Sequence, residues 1–376
     1  MNTAMNGILK IGEASTGIDD TCRMGIRHNI TAKSQPGYET GDSEADTVKK
    51  ACIVGCGGIS KVHFEALKQI SGVSLTGCAD IVFEKAAYAA EAYGCAPFSS
   101  LEQMLEEVPC DVLHICTPHY LHGPMTLEAA GRRIDVIEEK PPVISRDQWI
   151  QLEQASRQIR IGVCFQNRYN APVIAAKRII DSEEYGKLLS ARAFVTWNRG
   201  KAYYASGDWR GKWETEGGGA LINQSIHTLD LLLWFMGTPQ TVACRMSNHR
   251  LQGIIEVEDT VEARLTFEGE RMALFYASNG YACDAPVLLE LRLERAVLRL
   301  EGEKLYIMDE NGITTVDCPE GTGYGKACWG TGHLKCIADF YDALESNRPY
   351  QNDLMSAANT VDVMLQMYEQ ARQNGI

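Results

Sequence analysis

A short apolar run, Ala51–Val54, passes straight into Gly55-Cys56-Gly57-Gly58-Ile59-Ser60 and then into a helix-patterned stretch reaching about Ile70. A strand that must turn at once into a helix needs a first glycine for the turn. A second glycine lets another group approach the backbone closely. The first amides of such a helix have no intrahelical partner, so they point above the turn and favour an anion. Val73–Ala79 reads as the next strand and ends at Asp80, the distance at which an acid reaches a ribose hydroxyl in a strand–helix–strand unit. Ser60 stands where the usual pattern has a third glycine or alanine. The segment therefore reads as a dinucleotide site, with Gly55, Gly57, Gly58 and Ile59 around the pyrophosphate and Asp80 on the adenosine ribose. A carboxylate there repels a 2′-phosphate by about 4 kcal/mol at most, for charges roughly 4 Å apart at an effective dielectric near 20. Ile81, Val82 and Phe83 supply no arginine to offset it, so NAD(H) is expected over NADP(H).

The pattern around this segment sets the domains. Val82–Tyr93 reads as a helix, Asp111–Cys116 and Ile134–Glu138 as strands, and Ile159–Phe165 as a further strand. Ser145 with Gln148 forms a capping box that opens a helix running to Arg157. Strands alternating with helices predict a doubly wound parallel sheet covered on both faces, a Rossmann domain over residues 49–167. After about Lys187 the period changes. Val261–Phe267, Met272–Tyr276, Leu289–Leu293 and Ala296–Leu300 read as strands of a largely antiparallel open sheet, preceded by a strong helix at Leu221–Met236. An α+β substrate and oligomerisation domain is thus expected over 168–325. Helices near His333–Leu344 and Met355–Gln373 fall in 326–376 and are expected to pack back toward the Rossmann domain. Residues 1–48 form a polar arm without periodicity, either flexible or pinned against a neighbouring subunit.

Charge and cysteine usage narrow the function. A net charge of −13 opposes nucleic-acid binding, whose phosphates need a compensating basic surface. No apolar run reaches the roughly 20 residues that span a bilayer, and the first residues lack a basic-then-apolar leader, so a cytoplasmic protein is expected. The 13 cysteines are an odd number without C-x-x-C spacing, which fits reduced thiols rather than disulfides or a metal site. A homo-oligomer, assembled through the C-terminal sheet and the arm, is the expected state.

The chemistry-bearing residues lie at strand ends and on the strong helix. Thr117 and Pro118, ending the third strand, are expected on the nicotinamide side of the crevice. His119 and His122 come directly after them and read as packing or helix-start residues more readily than catalytic ones. The fourth strand runs into Glu139-Lys140-Pro141, where the proline constrains the lysine backbone in a cis or otherwise fixed turn. The segment Gly217-Gly218-Gly219 leads into a helix on which Asn223, His227 and Asp230 fall at i, i+4 and i+7, beside an apolar stripe of Ile222, Ile226, Leu229 and Leu233. The three glycines are expected to let the backbone pass close to a bound ring.

These motifs together resemble the Gfo/Idh/MocA family over roughly residues 49–374. The resemblance rests on GCGGIS with Asp80, CTP followed by His122, EKP, QNRY at 166–169, WRG at 209–211, the GGG…H..D helix, and WG.GH at 329–333. It implies that Lys140 holds the substrate hydroxyl and the nicotinamide region, and that His227 is the general base in oxidation and the acid in reduction. It further implies Asn223, Arg168, Trp329 and His333 on the substrate side, and His122, Glu139 and Arg210 on the cofactor side. Family members often carry Asp at the position of Asn223; an amide there cannot hold charge but can hydrogen-bond a sugar hydroxyl. The Asn-Gln-x-x-His form is similar to a branch acting on sugars and glycosides, several of which oxidise carbon 3 of a hexose. The expected function is an NAD(H)-dependent sugar or glycoside dehydrogenase. An inositol or other polyol dehydrogenase, and a non-enzymatic NAD-binding regulator, are the alternatives.

Overall fold

A computed structural model describes residues 8–9, 48–318 and 332–373. Most of the arm, and Trp329, lie outside them. Ile8–Leu9 forms β1. The first domain then runs β2 (Lys49–Val54), α1 (Ser60–Leu67), β3 (Val73–Ala79), α2 (Phe83–Tyr93), β4 (Ala96–Phe98), α3 (Leu101–Glu107), β5 (Val112–Ile115), α4 (His119–Gly131), β6 (Asp135–Glu138), α5 (Arg146–Ala155) and β7 (Ile161–Val163). Its six strands are all parallel in the order β4-β3-β2-β5-β6-β7. Chain order reverses between β2 and β5, and that switch point opens a crevice at the strand C-termini. Central strands buried on both faces read as continuous apolar runs, as Ala51–Val54 of β2 does; in β5 only the buried His114 interrupts the run.

Neither β4 nor α3 is apparent from the sequence pattern. Pro97 inside β4 argues against a strand, but β4 is the sheet edge, where a missing N–H is tolerated. Ser100 caps α3 by accepting from the Gln103 amide at 3.1 Å. The Ser145 cap is present, at 3.3 Å from the Gln148 amide. The Gln148 side chain instead takes the Ile144 N–H at 2.9 Å, one residue before the expected partner.

The second domain contains α6 (Ala171–Asp181), β8 (Leu188–Thr196), the short α7 (Lys201–Tyr204), α8 (Ile226–Met236), β9 (Thr241–Ser247), β10 (Thr260–Thr266), β11 (Met272–Ser278), β12 (Leu288–Leu293), β13 (Val297–Glu301), β14 (Lys304–Asp309) and β15 (Gly312–Val316). The sheet order is β1-β15-β14-β13-β12-β8-β11-β10-β9, antiparallel except at β8–β11 and β1–β15. Four of these strands, β8, β9, β14 and β15, are not evident in the sequence. Phe194, Met308 and Ile313 put apolar side chains on the outward faces of β8, β14 and β15, which blurs the apolar–polar alternation. Ile8–Leu9 pairs with β15 of its own chain.

The last two helices part company. In α9 (Gly332–Glu345), Ile337, Phe340 and Tyr341 join the core of Ala51, Ile53 and Phe64 under the first sheet. The other, α10 (Ala358–Gln373), bridges the two domains, with Arg146 of α5 pairing with its Asp362 and Glu369. Its apolar face, with Val361, Met364, Leu365 and Tyr368, belongs to the core that also buries Leu229 and Leu232 of α8. The Gln370 side chain bonds the backbone of Val242 and Cys244 in β9.

Candidate active site

The crevice floor is the turn between β2 and α1. Gly55 has φ +88°, and a Cβ there would lie 2.7 Å from the Cys116 carbonyl, so only glycine fits between β2 and β5. A Cβ on Gly57 or Gly58 would meet nothing within 4 Å, and α1 has no side-chain cap. The first turn of α1 thus has no side-chain acceptor and the turn before it leaves room, as a pyrophosphate requires. Ser60 turns inward, its hydroxyl donating to the Gly57 carbonyl at 2.8 Å. Asp80 is half-buried and accepts from the amides of Cys56 and Val82, both at 2.9 Å, which ties the end of β3 to the glycine turn. Thr117 and Pro118 sit half-buried at the end of β5. These residues suit NAD: glycines that leave room, uncapped amides for phosphate, and a carboxylate at the second strand end.

His122 does not reach toward that space. Its two ring nitrogens lie 2.7 Å from the Pro141 carbonyl and 2.8 Å from the Thr117 carbonyl, so it clasps the Lys140–Pro141 turn, which is cis, to the end of β5. His119 likewise faces a carbonyl, that of Glu216 at 2.9 Å, and its ring packs on Trp209. Arg210 lies over the Tyr203 and Trp209 rings and bonds Ser206 at 3.0 Å, on the second-domain side of the junction.

Across the cleft, the strong helix begins as a π-helical segment, Ala220–Ser225, before continuing as α8. Such widening is frequent at functional sites. From Glu216 to Leu233 only Asn223 and His227 keep partial exposure. With more than four residues per turn, positions four apart share a face, so both point to the cleft. Lys140 reaches across and donates to the Asn223 carbonyl at 2.9 Å. The Asn223 amide donates to Glu216 and to the Tyr203 hydroxyl, the latter at 3.3 Å. Burial pushes the Glu216 carboxyl up to about 7. His227 Nδ1 has no hydrogen-bond partner among the described residues, while Nε2 lies 3.4 Å from the Gln166 amide. Desolvation, then the nearby Lys140 ammonium, hold His227 well below its usual range, so it is neutral at neutral pH.

Three expectations need correction here. Asp230 does not share the cleft exposure of Asn223 and His227; it is 1% exposed and is held in the interior by Arg168 and the Thr360 hydroxyl. Arg168 is 2% exposed and bonds Asp230 at 2.8 Å with further contacts to Ser356, so it anchors α8 from behind rather than lining the cleft. The three glycines are not open to a ligand. Where Gly219 would carry a Cβ stands the Glu258 carbonyl oxygen at 2.0 Å; Tyr368 and Ile144 occupy the equivalent space at Gly218 and Gly217.

Glu139 is also buried, with its carboxylate 3.2 Å from His63 Nε2 and 3.6 Å from His333 Nε2. Burial raises its pKa, but the two histidines outweigh that and keep it ionised. His63 continues to His114 at 2.9 Å and His114 to Tyr341 at 2.8 Å, a buried polar chain linking α1, β5 and α9. His63, Glu139 and Cys164 bring possible metal-donor atoms within 4.8 Å of one another. Glu139 and His333 thus brace the lysine turn and α9 from beneath. Sequence reasoning missed His63, Gln166, Glu216 and Glu258. Of these only Gln166 falls in a motif read from the sequence, QNRY; Glu258 accepts from the Gly219 and Leu221 amides at 2.9 Å, a contact made 37 or more positions away.

Among the described residues no helix is long and apolar enough to cross a membrane. A family model described as an oxidoreductase family with an NAD-binding Rossmann fold matches residues 49–162, and one for the GFO/IDH/MocA C-terminal domain matches 173–299, together more than half of the chain. Glucose-6-phosphate 3-dehydrogenase of Bacillus subtilis (strain 168) is 28% identical over 194 residues, 50% of this chain and 54% of that protein. D-glucoside 3-dehydrogenase of Escherichia coli (strain K12) is 26% identical over the same shares. The matches span about half the length of these curated relatives. The WlbA dehydrogenase from Bordetella pertussis, solved in complex with NADH and UDP-GlcNAcA, superposes with a TM-score of 0.75 at 28% identity, covering 86% of this chain and 97% of that one.

Proposed function

This chain belongs to the Gfo/Idh/MocA oxidoreductase family, and we propose that it is an NAD(H)-dependent dehydrogenase that interconverts a secondary alcohol and a ketone at carbon 3 of a hexose, in a sugar or glycoside. The observation that carries this reading is the pairing of His227, neutral and with an unpartnered Nδ1, with Lys140 across the cleft above the dinucleotide turn. NAD, when bound, supplies the hydride acceptor.

An alcohol carbon gives up hydride easily only as its hydroxyl proton leaves, so a positioned base is needed. His227 takes that proton. The Lys140 ammonium stabilises the oxygen as negative charge grows on it and keeps His227 unprotonated beforehand. Asn223, fixed by Glu216 and Tyr203, offers its remaining amide capacity to a neighbouring sugar hydroxyl. Asp80 binds the ribose and disfavours NADP(H). Arg168 and Asp230 act behind the helix, holding His227 in place. A regulator that only senses NAD has no use for the Lys140–His227 pair. Two relatives named as 3-dehydrogenases support the choice of carbon.

The test is NADH formation from NAD⁺ with neutral hexoses and glucosides, followed by borodeuteride trapping of the ketone. Deuterium at carbon 3 is expected. Deuterium at another carbon, or no NADH from any of them, contradicts the proposal.

A further inference from the structure

A cavity of 390 Å³ opens beside α8, between the start of α6 and the ends of β8 and β12. Its lining includes chain neighbours of the cleft residues. Thr228 and Leu231 line it, the next residue and the next helical turn after His227; Asn167 lines it too, directly after Gln166. Its walls are apolar: Pro172, Val173, Trp197, Pro286, Leu289 and Leu231. The Trp197 indole is held in place by donating to the Ala285 carbonyl at 3.1 Å.

The charges are one-sided. Asp284 and Glu303 lie at the rim, and among the described residues lining the cavity there is no Lys, Arg or His. Arg199, outside the lining, donates to both Asp284 oxygens at 2.9 Å and lies over the Trp197 ring. A phosphate or pyrophosphate placed here would meet carboxylates, with no cation among the described lining residues to offset them. An apolar ring would instead pack on fixed aromatic and aliphatic walls; an apolar cavity of about 150 Å³ already holds benzene.

We infer that this cavity seats the non-reacting group of the substrate, and that this group is an uncharged apolar aglycone. The substrate class is then a neutral aryl or alkyl glycoside rather than a sugar phosphate or a nucleotide sugar. This rests on the dehydrogenase reading above and narrows it. The polar lining groups Asn167, Asn170 and Thr228 would receive the glycosidic oxygen and adjacent hydroxyls.

The experiment compares methyl β-D-glucoside, phenyl β-D-glucoside, glucose 6-phosphate and a uridine-diphosphate sugar as substrates of the full chain with NAD⁺. Phenyl glucoside is expected to exceed methyl glucoside in kcat/KM by about tenfold or more, mainly through KM, from the apolar area the ring buries. Ala285→Trp, which fills the mouth of the cavity, should bring that ratio close to one. Calorimetric titration of both glucosides into the wild-type NADH complex gives the same comparison without the variant. Equal KM and affinity for the two glucosides overturn the inference and leave the dehydrogenase reading intact, as does a preference for the phosphate or the nucleotide sugar. No NADH from any of the four or from free hexoses, with NAD⁺ still bound, sinks the reading and the inference together; NADH from a free hexose alone overturns only the inference.

Discussion

Two glycine clusters flank the cleft, and they use the missing side chain in opposite ways. At Gly57 and Gly58 the volume a Cβ would fill is empty, and the helix that follows has no side-chain cap. At Gly217, Gly218 and Gly219 that volume is already taken by Ile144, Tyr368 and the Glu258 backbone. One cluster makes room for a ligand; the other lets two parts of the protein approach until the catalytic helix is locked. In sequence the two look alike. What separates them is the environment supplied by distant segments, so a glycine run near a site says only that something comes close.

The contrast is easiest to break by adding a methyl group to each. Gly219→Ala puts a Cβ 2.0 Å from a backbone oxygen that no rotamer change can move. It should cost more than about 3 kcal/mol and lower Tm by roughly 10 °C. A near-wild-type melting curve would mean the second cluster is not tightly packed. Gly57→Ala should leave the Tm of the cofactor-free protein within about 1 °C, while weakening NAD by about tenfold or more as the methyl meets the pyrophosphate. Unchanged affinity by titration would move the dinucleotide off the turn.

A smaller effect sharpens the same comparison through pH. Burial raises Glu258, whose carboxylate bonds the Gly219 and Leu221 amides, to about 7. Because the folded value lies above the ordinary 4.5, its contribution is complete below 4.5 and lost as pH rises through about 7. Melting should therefore fall by a few degrees between mildly acidic and mildly alkaline buffer, and Glu258→Gln should flatten part of that slope. A slope unchanged in the variant would remove Glu258 as its source. For catalysis the sign is opposite. His227 is held below 6.5 by burial and by Lys140, so the acid limb of kcat/KM should lie below pH 6.5. Lys140→Gln should shift it upward.

Much of this fold is legible in the sequence. The βαβ unit shows itself because buried parallel strands are uninterrupted apolar runs and the glycine turn must come at once. The cis turn at Lys140–Pro141 and the cleft positions of Asn223 and His227 are also readable, since proline and helical spacing are local signals. Arg168 and Asp230 mislead because a charged pair in a motif reads as ligand-facing. Their burial is decided by α10 and by the segment at Ser356, far along the chain. Trp197, which lines the cavity, directly follows β8, and no local pattern singles it out.

The central claim is that His227 removes the hydroxyl proton while the dinucleotide turn works independently. His227→Ala, assayed on an oxidised glycoside alongside NAD titration, tests it most directly. Losing general-base assistance costs roughly 10²–10⁴-fold in kcat, or about 3–5 kcal/mol, and that loss is expected here with NAD affinity unchanged. Near-normal turnover in the variant would contradict it.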